Sequence, residues 1–554
     1  MNVDSERLNR ILTLALPIIG GMVSQNLLNI VDTAMVGNLG NSALAAVGLG
    51  GFVVFMCQAL ILGISTGVQS SAARRKGEGR SDRAAAVLNS ALLLVLVIAP
   101  FFSAILIALA DIVFPLLNDD TEVIALGVPY IEWRLGAIVF VGMNFAFRGY
   151  WNALDMSRVY MNTLIIMHAC NIVLNYVLIF GNFGAPAYGV TGAAMASAIA
   201  MGTGTFIYIF LGFKHIAKDG FMRHLATRNE TAGLIRVSLP AGLQQLFFAA
   251  GLVAMFVIIG KIGTPELAAA NVLITVLLFA ILPGLALGIA CTTLVGQALG
   301  RGQPDDAYRW AWDVGKVTVI LLTVLGIPMW LIPDLVSSIF IHDPATRELA
   351  RWPMRVMGVT MPLEAISFAF MHALLGAGDA QRVMLVSIGT QWLVFLPLAY
   401  LVGPVLGFGL LGVWICKAVV GRCRPTCSCT CGAAESGKTS LFEFSVGQSI
   451  PARRQHLQDY VRRYCWLPNE PIQRCLPRDH RQAIKDCFRI QPAHALRSRL
   501  LSQPRPPRFD QNNKPPTQLH LELHRRIALA LPGHPSDHRC NARGRTIRTQ
   551  GCPE

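Results

Sequence analysis

The sequence is short of charge over most of its length. Its first 420 residues hold 24 Lys and Arg and 22 Asp and Glu, a balance of +2, whereas residues 421–554 hold 23 basic and 10 acidic residues. With 53% hydrophobic residues and a mean hydropathy of +0.50, the chain is too apolar for an ordinary soluble protein. Residues 1–420 also hold only four cysteines, Cys57, Cys170, Cys291 and Cys416, with no paired spacing. That excludes a disulfide framework or cysteine metal cluster there and leaves them as small packing residues. No short apolar core followed by a small-residue cleavage site opens the chain. The apolar run continues to Val36, so the first segment reads as a retained membrane helix and not a signal peptide.

What is present is a series of apolar runs, each near the 20 residues that a bilayer core requires. They lie at Leu12–Val36, Leu44–Val68, Ala86–Ala110, Val128–Phe147, Tyr160–Phe180 and Val190–Phe213. The second set lies at Leu234–Gly260, Leu267–Val295, Val317–Ile332, Val356–Leu375 and Val383–Val402, and a last run begins at Leu406 and fails at Gly421. The connections alternate between basic (Ala73–Arg83, Lys214–Arg236) and acidic or uncharged (Asn118–Glu122, Gly181–Gly189). Basic loops stay in the cytoplasm, which puts the N-terminus there.

The chain repeats itself. "LPIIGGMVSQNLLNIVDTAMVGNLGNSALAA" aligns with "LPAGLQQLFFAAGLVAMFVIIGKIGTPELAA", Pro17 falling on Pro240 and Gly37 on Gly260. Two further blocks follow in the same order. Six spans is an even number, so both halves enter from one side, as in transporters with parallel repeats. The expected fold is therefore an all-α polytopic membrane protein of two six-helix bundles, residues 1–220 and 221–420, related by a parallel pseudo-twofold repeat. Its twelfth helix is truncated, and a basic Cys/Pro/Arg-rich tail, residues 421–554, reads as non-native or disordered.

Polar residues break the pattern in one half. Gln25, Asn29 and Asp32 recur at i, i+4 and i+7 on the first span, and His168, Asn171 and Asn175 form a stripe on the fifth. Their repeat partners (Phe248, Leu252, Met255, Trp392, Phe395, Ala399) are apolar or aromatic. A polar stripe in hydrocarbon must face protein or water, which argues for a hydrated cavity near Asp32 in the first half. Burial favours a neutral carboxyl and a nearby cation favours a charged one. Asp32 is thus expected to hold a proton when the site is empty and to release it when a cation binds. Asp32, Asn171, Asn175 and Glu364 are the candidate coupling residues, with Glu364 read equally as a packing or gating hydrogen-bonder. Gln25, Asn29, Met35, Met143, Tyr150 and His168 are the candidates for the cavity wall, although the methionines, Tyr150 and a lone histidine more often serve packing or hydrogen bonding. Asp155 and Asp379 precede Arg158 and Arg382 by three, at helix ends, and read as loop locks. No catalytic residue, metal site or cofactor is expected.

The stretches "LALPIIGGMVSQNLLNIVDTAMVGNLG", "RGYWNALDMSR", "NIVLNYVLIFG" and "GAGDAQR" resemble the multidrug and toxic compound extrusion (MATE) family, NorM- and DinF-type members included, over roughly residues 8–420. The resemblance implies export of cationic or amphipathic drugs in exchange for protons or sodium ions. It assigns Asp32 to the family's helix-1 cation-site aspartate and Asn171 to its helix-5 asparagine. Asn175 stands where some DinF-type members carry a second aspartate, and residues 237–260 lack the helix-7 glutamate of sodium-coupled NorM-type members. It implies small amphipathic cations and the bilayer as partners, no nucleic acid, a monomer, and a bacterial inner membrane location. The alternative is a lipid-linked saccharide flippase of the same superfamily, which would call for a basic cavity; the only arginines in the first-half spans are Arg134 and Arg148, both near span ends. "GAAESGKTS" (residues 432–440) fits a phosphate-loop pattern but follows no apolar strand, so it reads as an accident. Cys423, Cys427, Cys429 and Cys431 beside it lack a second ligand cluster.

Overall fold

Apolar runs of this length can satisfy their backbone N–H and C=O groups away from water by forming helices. The structure, a computed structural model, describes residues 3–341 and 343–433, with side chains as far as Gly421. The spans of the first half are α1 (Ser5–Gly37), α2 (Asn41–Gly77), α3 (Ser81–Ala108), α4 (Thr121–Gly136 and Ile138–Ala153, bent by 46°), α5 (Ser157–Phe180) and α6 (Gly189–His215). Those of the second are α7 (Arg228–Gly260), α8 (Thr264–Gly300), α9 (Pro304–Leu331), α10 (Pro344–Ala377), α11 (Ala380–Val405) and α12 (Gly409–Ala433). Ten are long and apolar enough to cross a membrane, or eleven with bent α4 as one span. There is no strand among the described residues. In α12 the apolar part is Gly409–Gly421, but the helical backbone runs on to Ala433 and does not break at Gly421. The phosphate-loop pattern lies outside the described residues except for its first two positions, and the side chains of the tail cysteines lie outside them too.

Local chemistry sets several helix ends. Asp120 accepts the Glu122 N–H at the start of α4, and Thr227 with Glu230 forms a reciprocal capping box before α7. At its far end α5 stops on Gly181, whose φ of 75° lies in the left-handed region that glycine enters without a steric penalty.

The two halves repeat their packing partners. In the first, α2 packs on α3 and α4, α3 on α4, α1 on α5, α5 on α6 and α4 on α6. In the second, α8 packs on α9 and α10, α9 on α10, α7 on α11, α11 on α12 and α10 on α12. The halves meet where α2 crosses α7 and α8, and where α1 crosses α8. A β-carbon at Gly63 would collide with the Ser238 carbonyl on α7, and one at Gly242 with the Leu60 carbonyl on α2, so this crossing requires residues without side chains.

α1 serves both halves. Its first part buries Ile11, Leu14 and Ala15 among Leu287, Cys291, Leu294 and Trp310 of the second half. Its second part packs on α5 and carries the polar stripe. Leu96, Ile98, Phe101 and Ile105 of α3 point outward, as expected of a surface that faces lipid tails.

Candidate functional site

The stripes predicted on the first and fifth spans face each other across the α1–α5 contact. Asn175 donates from Nδ2 to Asp32 Oδ1 at 2.6 Å and to Asn171 Oδ1 at 3.0 Å. Asn171 in turn donates to Ser197 Oγ on α6 at 3.1 Å. One turn away, His168 Nδ1 lies 2.7 Å from Ser24 Oγ, and its Nε2 lies 3.1 Å from Gln25 Oε1. An amide oxygen only accepts, so His168 donates from Nε2, and the Ser24 hydroxyl can donate to Nδ1 of a neutral ring. Gln25 continues the chain to Asn29 at 3.3 Å.

Burial grades across this network. His168, Asn171 and Asn175 are buried, Asp32 and Gln25 are partly covered, and Asn29 is exposed. The network therefore runs from an accessible edge on α1 to a closed floor on α5. Asn175, 1% exposed, presents an Oδ1 with no donor among the described residues. A buried amide oxygen left so costs free energy and requires an explanation. It lies on a side chain that already holds the Asp32 carboxylate.

The structure adds a residue that sequence reasoning had placed near a span end without assigning it to this site. Arg134, just before the bend in α4, acts electrostatically on Asp32, and its Nε is buried without an acceptor among the described residues. Ser24 and Ser197 were also missed. Single serines on helices built largely of small and apolar residues carry no periodic signal.

Other expected members lie elsewhere. Tyr150 is fully buried in an aromatic cluster, edge-on to Trp151 with ring centroids 5.6 Å apart. Met35 and Met143 are half-buried and pack against the first-half core. Glu364 sits in the other half, its Oε1 3.9 Å from Lys417 Nζ, which ties α10 to α12.

A second cluster gathers at the end of the molecule that carries the basic loops. Asp155 does not lock its own turn through Arg158. Lys76 Nζ reaches its Oδ2 at 2.8 Å, Gln297 of α8 donates to its Oδ1 at 3.0 Å, and Arg10 of α1 lies 3.7 Å away. Gln297 also donates to the Ala153 carbonyl at 2.9 Å and accepts from Arg10 at 2.7 Å. Deeper in, Gln69 donates to the Ile289 carbonyl and to Thr293 Oγ1, and Thr293 donates to the Asn152 carbonyl. Arg7 pairs with Asp306 and Asp313, both at 2.7 Å, and lies over the Trp310 ring. These contacts join α1, α2 and the α4–α5 turn to α8 and α9, so this end is latched shut across the two halves. Asp379 in the second half instead caps α11 and pairs with Arg382 at 3.3 Å.

A "Probable multidrug resistance protein NorM" of Thermotoga maritima is 26% identical over 412 residues, 73% of this chain and 88% of that protein. The "Multidrug resistance protein PmpM" of Pseudomonas aeruginosa is 26% identical over 416 residues, 74% of this chain and 87% of its own. Among solved structures, the "Outward-facing conformation of a multidrug resistance MATE family transporter of the MOP superfamily" superposes with a TM-score of 0.69 at 22% identity, covering 76% of this chain and 93% of that one. The MatE family profile matches residues 17–177 and again 240–401, more than half of the chain. The chain belongs to the MatE family of membrane transporters, and several of its relatives carry the NorM name.

Proposed function

We propose that this protein is a secondary active multidrug efflux transporter that moves amphipathic cations across a bacterial inner membrane. It exchanges them for protons or sodium ions by alternating access, working as a monomer with its N-terminus and basic loops in the cytoplasm. One observation carries the reading: a partly accessible carboxylate, Asp32, is held by a buried Asn175 whose own amide oxygen has no donor. An intramembrane carboxylate is functional by default, and here an uncommitted oxygen acceptor stands next to it. That pair suits a positive charge, either the coupling ion or the ammonium of a drug, and one carboxylate neutralises one of them at a time. Mutual exclusion at Asp32 converts an ion gradient into export.

The latch around Asp155 supports alternating access, because it closes one end by contacts that another arrangement of the halves would break. Glu364, already paired with Lys417, is less suited to hold the coupling ion. A flippase for anionic lipid-linked sugars finds little support, since the positive charge of Arg134 is opposed by Asp32.

The test is gradient-driven efflux from proteoliposomes, with pH and sodium gradients imposed separately. Asp32→Asn is expected to abolish export under whichever gradient drives the unmodified protein. Full export by that variant would refute the assignment.

A further inference from the structure

On the opposite side of α4 from Arg134 the fold forms a groove that the stripe does not use. Two residues along a helix are about 200° apart, so Glu132 faces away from the side that carries Arg134. Glu132, Trp133, Gly136, Ala137 and Phe140 of α4 line this groove together with Ala198, Ile199, Gly202, Thr203 and Phe206 of α6. Both helices contribute the same spacing (i, i+1, i+4, i+5, i+8), as two parallel faces would. The bend in α4 and the small residues Gly136, Ala137, Ala198 and Gly202 leave the space between them, about 650 Å³ in volume. Trp133, Ile199 and Phe206 are exposed on its rim, so it opens on the surface that faces lipid.

Glu132 gives this groove its meaning. It lies four residues inside the fourth apolar span and is only partly exposed, and no described residue offers it a hydrogen bond or an ion pair. A carboxylate in that position is expensive unless something positive meets it. Trp133, Phe140 and Phe206 supply apolar area and ring faces that attract cations. The volume falls within the range of drug-sized sites.

We infer that this α4–α6 groove is a second, membrane-facing binding site for an aromatic amphipathic monocation dissolved in the bilayer, with its charge at Glu132 and its rings among Trp133, Phe140 and Phe206. The ligand class rests on the proposed export function, but occupancy of the groove does not require Asp32. The site would gather lipid-dissolved cations on the protein surface, apart from the α1–α5 network.

The test uses the full chain in nanodiscs of phosphatidylcholine, with tetraphenylphosphonium as probe and empty discs subtracted. Asp32→Asn removes the inner charge, and binding that remains in that background is assigned to the groove. Adding Glu132→Gln should weaken the remaining binding at least tenfold. Gly202→Leu should do so by filling the space, and it should fold, because a β-carbon at Gly202 meets only the Phe140 ring at ordinary contact distance, 3.6 Å. Absence of binding in the Asp32→Asn background, or binding that survives both added substitutions, overturns the inference. Loss of binding when phosphatidylethanolamine replaces phosphatidylcholine also overturns it, because a lipid amine would then be the occupant. The outcome is separable from that of the export reading, which fails only if Asp32→Asn still exports.

Discussion

Asp155→Asn tests whether the basic end is latched by charge. The side chain keeps its size. Asparagine also tolerates the left-handed backbone at this position, φ 62°, so the turn itself is not strained, as it would be by most residues. What is lost is the negative charge that anchors the α4–α5 turn within the first half, to Lys76 at 2.8 Å and Arg10 at 3.7 Å, and with it the firm placement of the Asn152 and Ala153 carbonyls that α8 binds across the halves; the Gln297 bond to residue 155 can be kept by the amide oxygen. A hydrogen bond to a charged group contributes about 1.5–3 kcal/mol. Asp155 and Lys76 are about a third exposed, at 31% and 33%, so that figure is discounted toward the roughly 0.2–1 kcal/mol of surface pairs. Arg10, at 40% exposed, adds little.

The sum, about 0.5–1 kcal/mol, bounds the shift in the balance between latched and unlatched forms at roughly 2- to 5-fold. Spin labels at Arg80 and Arg309, exposed positions of the two halves at this end, report the shift as a longer-distance population in pulsed electron resonance. Raising the salt to about 1 M, where the screening length is near 3 Å, should move the unmodified protein in the same direction and the variant less. A distance distribution unchanged by both the substitution and salt would refute the electrostatic account of closure.

Arg134→Gln removes a positive charge that competes with incoming cations for Asp32, so binding of a monovalent cation should tighten roughly three- to tenfold at a partly screened site. Equilibrium titration checks this, and weaker binding would contradict it. At the start of α10, the Thr346 hydroxyl and N–H hold the exposed Asp343 carboxylate below its ordinary value of 3.8. A depressed value means that this cap contributes fully above pH 3.8 and is lost as the pH falls through the lower folded value. Protection from hydrogen exchange in the first turn of α10, taken relative to the intrinsic rate at each pH, should therefore fall on acidification in the unmodified protein and show no such pH step in Asp343→Ala.

Much of the architecture was legible in the sequence, because hydropathy acts over single segments. Eleven spans and a short twelfth follow from runs of apolar residues, and the structure places helices over each of them. The faces of α1 and α5 were legible for the same local reason: a spacing of 3.6 residues per turn puts Gln25, Asn29 and Asp32 in one line, and His168, Asn171 and Asn175 in another. The continuation of α12 past Gly421 was not legible, since a break in apolar composition is not a break in backbone geometry.

What the sequence determined by itself is thus which residues are hidden from water and which side of each helix is polar, since both depend on neighbours a few residues away. Tertiary structure alone decided partnership. It set Arg134 by Asp32, joined Asp155 to Lys76 and Gln297 in place of Arg158, buried Tyr150 among rings, and gave Lys417 to Glu364. Each of the charged and polar pairs spans a distance along the chain over which periodicity carries no information, and each was fixed by how whole helices cross. A charge on a helix selects its partner only when packing brings the other helix to it.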